Sequence, residues 1–153
     1  MEREELINRV NGLLKLIRTE YGLTQDKMAL ILGISKKTLV ESEKGRRRLG
    51  WTEVVALTTI FSKSQVLQNA FGGEVSDIIA AVAFQDVDVH FPDTMGGKIW
   101  WRDIREEQGY RIQQNIISLH YRLLNEQDQR ILSSFDRDVV EEHLAMLCAG
   151  REV

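Results

Sequence analysis

The sequence predicts a mainly α protein, with an N-terminal bundle of five short helices followed by a small C-terminal α+β module. Three observations predict it. Apolar residues recur at helical spacing from Leu6 to Phe71. Ser and Thr stand where those helices would begin, and Gly where they would end. Beyond residue 98, clusters of β-branched and aromatic residues alternate with turn-forming Gly and Asn.

The first helix is expected at about Arg3 to Glu20, on the stripe Leu6, Val10, Leu13, Leu14 and Ile17, with Gly22 just past its end. Helices at about 25–32 and 36–44 follow. Thr24 can cap the first of these, Gly33 can end it in the left-handed conformation, and Ser35 can cap the second. Ala29 and Leu39 face each other across that turn, with Met28 and Leu32 completing an apolar seam. Gly45 to Gly50 reads as a loop. Trp51-Thr52 opens a helix through Phe61, and Ser64 caps a fifth that ends at Phe71.

Residues 74–83 read as a sixth, apolar helix. Gln85 to Lys98, with Pro92 and Gly96-Gly97, reads as a connecting loop. The division that follows is 1–72, a helical domain whose helices at 25–32 and 36–44 form a helix-turn-helix and so a candidate DNA-binding domain; 73–98, a helix and connector; and 99–153, a C-terminal module for dimerisation or sensing. In that module Ile99-Trp100-Trp101, Tyr110-Arg111-Ile112, Ser118 to Leu124 and Arg130-Ile131-Leu132 read as strands. Gln108-Gly109 and Asn125 to Gln129 read as hairpin turns, and a last helix at about Asp136 to Cys148 is capped by Asp136. Ile112, Ile116, Leu119 and Leu123 also fit a helical stripe, so an all-α C-terminal half is the alternative.

With 153 residues, 43% hydrophobic and 28% charged, the chain can bury a real core, and no apolar run approaches the ~18 residues of a membrane span. The acidic start Met1-Glu2-Arg3-Glu4-Glu5 has no signal-peptide character, and the single Cys148 excludes an internal disulfide, so a cytoplasmic setting is expected. His90, His120 and His143 are too scattered for a metal site, and no cofactor is expected. Charge divides unevenly. Residues 1–71 hold twelve Lys/Arg against eight Asp/Glu, and residues 72–153 hold eight against fifteen. Lys36, Lys37, Lys44, Arg46, Arg47 and Arg48 concentrate the basic character within one short stretch, an electrostatic footprint for a polyanion.

On a helix starting at Lys36, residues Lys36, Lys37, Val40, Glu41 and Lys44 share the face turned away from the seam. Lysines in a first turn oppose the helix dipole, which favours anions there. A DNA phosphate or a guanine edge would supply the missing acceptor.

From about Leu13 to Phe61, a third of the chain, the sequence resembles the Cro/C1-type helix-turn-helix (XRE) family. The residues that carry the likeness are Leu16-Ile17-Arg18, Tyr21-Gly22-Leu23-Thr24-Gln25, Met28-Ala29, Leu32-Gly33-Ile34-Ser35 and Glu43-Lys44-Gly45. The resemblance implies a lambda-repressor-like bundle. It implies that Thr24 and Gln25 lie at a DNA phosphate, and that Ser35, Lys36, Lys37, Thr38, Val40 and Glu41 lie in the major groove. The loop Lys44, Arg46, Arg47 and Arg48 would follow the backbone, and Arg18 and Glu43 would form a structural ion pair. Two positions depart from the family: Ser42 replaces a larger apolar residue, and Leu49-Gly50 replaces a common proline.

The expected function is therefore a sequence-specific transcription regulator, a repressor that binds double-stranded DNA as a homodimer, with no membrane partner. Trp100, Trp101 and Tyr110 are candidate interface anchors, with core burial the favoured reading. A protein-partner regulator such as an antitoxin or anti-repressor is the alternative. An enzyme is not expected: Asp86, Asp88, Asp93 and Glu106-Glu107 read as solvated carboxylates, and no phosphate loop or nucleophile elbow is present.

Overall fold

The helical spacing of the first residues forms one buried stripe, Leu6, Ile7, Val10, Leu14 and Ile17, on helix α1 (Arg3–Glu20). The computed structural model describes residues 1–93 and 100–151, and the chain divides into two compact units, Met1–His90 and Phe91–Val153. In the first unit α1 is followed by α2 (Gln25–Leu32), α3 (Lys36–Glu43), α4 (Trp51–Ile60), α5 (Gln65–Phe71) and α6 (Val75–Phe84).

The expected caps form. Thr24 accepts from the Lys27 N–H and Ser35 from the Thr38 N–H, while Gly33 takes φ 68°, a left-handed conformation that glycine adopts at no steric cost. Ser64 caps α5, but it is assisted by Glu20, whose carboxylate accepts from Ser64 Oγ at 2.5 Å and from the Gln65 N–H at 2.7 Å. The carboxylate thus faces the positive end of the α5 dipole. At α4 the Glu53 carboxylate reaches back to the Gly50 N–H at 2.7 Å, one half of a capping box.

Helix α6 is part of this unit. Val75 and Val82, two turns apart on one face, are buried in the same core as α1, with Ile78 and Ile79 packed beside them. The core therefore draws on six helices where the sequence suggested five, because the apolar face of α6 has its burial partner there.

The second unit is a four-stranded antiparallel meander, β1 (Trp101–Glu107), β2 (Tyr110–Asn115), β3 (Tyr121–Leu124) and β4 (Arg130–Ser134), in the order β1-β2-β3-β4. Helix α7 (Arg137–Arg151) packs on it through Val140, Leu144 and Cys148, against Tyr110, Ile112 and Leu123. Asp136 caps α7 by accepting from the Asp138 N–H at 2.9 Å. The all-α alternative is overturned: Ile112 pairs with Leu123 across two strands, so their shared helical spacing is coincidental.

Two strand expectations shift. The third strand begins at Tyr121, not Ser118, because Asn115 Oδ1 accepts from the Ile117 and Ser118 N–H groups and Leu119 turns the chain at φ 63°. The first runs to Glu107, beyond the expected Trp101, while Ile99, Lys98 and Gly96-Gly97 lie outside the described residues. No helix among the described residues is long and apolar enough to cross a membrane.

Candidate nucleic-acid interface

Helices α2 and α3 meet through Met28, Ala29 and Leu39, all buried, and the Gly33 turn holds them close. Packing Leu39 and Ser42 inward leaves the opposite side of α3 outward. On that side Ser35, Lys36, Lys37 and Lys44 are exposed, and Thr38, Val40 and Glu41 are half-buried. The five-residue face expected from helical spacing is thus assembled on one surface.

Its charges are largely matched from within. Lys36 Nζ lies 2.9 Å from Asp26 Oδ2, so the neighbouring helix supplies an acceptor that the sequence assigned to an outside anion. In the following loop Arg46 approaches Glu41 at 3.8 Å, and Arg47 reaches Glu53 at 3.4 Å and donates to Thr38 Oγ1 at 2.7 Å. Arg48 lies 2.6 Å from Glu4 and donates to Asn8 Oδ1 at 3.2 Å. Lys37 and Lys44 have no such partner among the described residues. Exposed pairs of this kind contribute about 0–1 kcal/mol each.

Beneath the face, Arg18 and Glu43 form the expected ion pair. Arg18 Nε donates to Glu43 Oε1 at 2.5 Å and Nη2 to Oε2 at 3.2 Å, while Nη1 holds the Leu23 carbonyl at 3.0 Å. The side chains are 16% and 5% exposed, so the pair is largely withdrawn from water. Burial pushes the Glu43 carboxyl up, but hydrogen bonds from Arg18 and Gln25 and the nearby charges of Arg18 and Lys15 hold it below the usual carboxylate range. The hydrogen bond to Glu43 raises Arg18 correspondingly.

Gln25, expected at a phosphate, donates one amide hydrogen to Glu43 Oε2 at 3.0 Å. Its amide nitrogen carries a second hydrogen that can still point outward. Thr24 is exposed at the same helix start.

Asn11, which sequence reasoning missed, ties the loop to α1. Its Nδ2 donates to the Ser42 carbonyl at 3.2 Å and its Oδ1 accepts from the Leu49 N–H at 3.0 Å. Leu49 itself is buried. Leu49 and Gly50 thus both use N–H groups that a proline would lack, which accounts for the departure at these positions. Ser42 is buried, and its Oγ has no hydrogen-bond partner among the described residues. Three of the four carboxylates that meet the cations, Asp26, Glu53 and Glu4, were also missed, and Glu41 was expected on the outward face but not as a partner of Arg46. Only Glu53, three residues after Gly50, had a local signal, that of the capping box.

In the second unit Tyr110 belongs to the core, as the favoured reading had it. Trp101 is half-buried with the Arg122 guanidinium 3.8 Å from its ring centre, and Trp100 is 43% exposed.

Among known proteins, the chain is similar to a protein of Thermococcus kodakarensis named as an HTH-type transcriptional regulatory protein, with 31% identity over 94 residues. The match covers 61% of this chain and 27% of the relative, so the chain spans about a quarter of the relative's length. No protein-family model matches the chain, and no solved structure matches it at a significant level.

Proposed function

We propose that the protein is a sequence-specific DNA-binding transcription regulator of the Cro/C1 (XRE) type, acting as a repressor, with α3 in the major groove. The observation that carries this reading is the geometry of α2 and α3. Two short capped helices are locked at a left-handed glycine, with Leu39 buried behind and Lys36, Lys37, Val40, Glu41 and Lys44 turned outward. The similarity to a protein named as a helix-turn-helix regulator supports it.

In this reading Lys36 donates to a DNA phosphate at the groove edge and Lys37 to guanine acceptors, Glu41 accepts from a cytosine amino group, and Val40 takes an apolar contact. Ser35 and Thr38 begin the reading helix, Thr24 and Gln25 hold a phosphate, and Lys44, Arg46, Arg47 and Arg48 run along the backbone. Residues 1–72 carry these contacts, and residues 99–153 supply dimerisation or sensing. One helix reads only a few base pairs, so useful specificity needs a homodimer spanning half-sites about 34 Å apart.

Selection of bound duplexes from a random DNA pool at two salt concentrations tests the reading. An enriched inverted repeat is expected. Retention without enrichment would reduce the activity to phosphate binding, and no retention at low salt would transfer the function to a protein partner, as in an antitoxin or anti-repressor.

A further inference from the structure

Four of the six cations around α3 and its loop meet carboxylates of their own unit: Lys36 with Asp26, Arg46 with Glu41, Arg47 with Glu53, and Arg48 with Glu4. The two without such a partner among the described residues, Lys37 and Lys44, both lie on the outward face of α3. We propose that Asp26 and Glu4 are built-in competitors for the DNA backbone, occupying the positions of phosphate oxygens and holding down sequence-independent affinity. The inference rests on the DNA-binding reading of the same surface.

The geometry distinguishes this from ordinary surface pairing. Asp26 and Glu4 come from α2 and α1, ten and forty-four residues from the cations they meet, and stand at 2.9 Å and 2.6 Å, charge-assisted hydrogen-bond distances. Both stay exposed, at 69% and 64%, so a phosphate can displace them without unfolding anything. Each also sits in the first turn of its helix, where the dipole favours a carboxylate. A duplex offering only phosphates must break these pairs for a small return, since an exposed ion pair and an exposed phosphate contact are similar in strength. A duplex with the correct bases adds the contacts of Lys37 and Glu41, and the exchange then goes forward. The pairs thus subtract a similar amount from binding to either duplex, and only the operator has base contacts to outweigh it.

The test measures binding of the full chain to a random-sequence duplex and to the selected duplex, across a salt series, for wild type, Asp26→Asn, Glu4→Gln and Glu5→Gln. Glu5 is the control. It is exposed in the same first turn as Glu4 and changes net charge equally, but among the described residues no ion pair joins it to a cation of the loop. Thermal melting confirms that each variant is folded. Asp26→Asn and Glu4→Gln are expected to tighten random-sequence binding about two- to fivefold each. They should also steepen its salt slope by up to about one, with a tightening of similar size on the selected duplex. Binding by a variant where wild type shows none would support the competitor role in its strongest form. Wild-type binding that neither variant changes, or that Glu5→Gln raises equally, would overturn the inference and leave the DNA-binding reading standing. Absence of binding in all four proteins would overturn both.

Discussion

At the scale of single residues, the pair of Arg18 and Glu43 fixes α3 against α1 and α2. Replacing Arg18 with Ala leaves a largely buried carboxylate without its counter-ion, a loss of about 3–5 kcal/mol for buried pairs. A clear drop in melting temperature is expected, and an unchanged one would refute the structural role. Glu43 has its carboxyl held below the usual range in the folded state. Its stabilising contribution is therefore full above the ordinary carboxylate pKa of about 4.3 and disappears as pH falls through the lowered folded value. Glu43→Gln should accordingly be less stable than wild type at pH 7, with the gap narrowing below about pH 4, as a melting series in pH would show. Ser42 gives the opposite sign. Its buried hydroxyl has no partner among the described residues, so Ser42→Ala removes an unsatisfied group and should stabilise by about 1 kcal/mol, read as a raised melting temperature. The ion pair was legible in the sequence through resemblance alone, and Ser42 only as a departure. Asn11, Asp26 and Glu4 were not legible, because their partners lie far along the chain and no periodicity marks a long-range polar contact.

At the scale of elements, local chemistry explains what could be read. Thr24, Gly33, Ser35, Ser64 and Asp136 act within a few residues of themselves, and helix bounds followed from them closely. Strand bounds did not follow so well, since a strand ends where its neighbour stops pairing. The Asn115 side chain ended β2 and delayed β3 through bonds that no alternation of residues announces. The turn at Gln108-Gly109 joins β1 to β2. Gly109 has φ 83°, and a Cβ there would run into the Glu126 side chain. Gly109→Ala therefore brings backbone strain and displaces the exposed Glu126 side chain, and the strain should destabilise the second unit by about 1–3 kcal/mol. Chemical denaturation followed by hydrogen exchange of β1 and β2 would register that loss. Unaltered protection in both strands would mean that the turn relaxes at no cost.

At the scale of the molecule, the division at His90 changes how the charge is read. Residues 1–71 carry a basic excess, but Glu74, Asp77, Asp86 and Asp88 lie in the same unit as α3, and residues 1–90 hold twelve Lys/Arg against twelve Asp/Glu. A unit without net charge cannot draw DNA in by a long-range field, so attraction must come from the local patch around α3, within about one Debye length, ~8–10 Å. Sequence composition alone suggested the stronger asymmetry because it could not show that α6 packs with the helices before it. The measurement that follows is the salt dependence of binding by the double variant Lys36→Ala plus Lys37→Ala. If these side chains meet DNA, affinity falls and the magnitude of the log–log salt slope drops by about 0.9 for each phosphate no longer neutralised. Lys36 must first leave Asp26, whereas Lys37 has no ion-pair partner among the described residues, so Lys37→Ala alone should account for most of the change. Unaltered affinity together with an unaltered slope in the double variant would remove α3 from the interface and with it the major-groove reading.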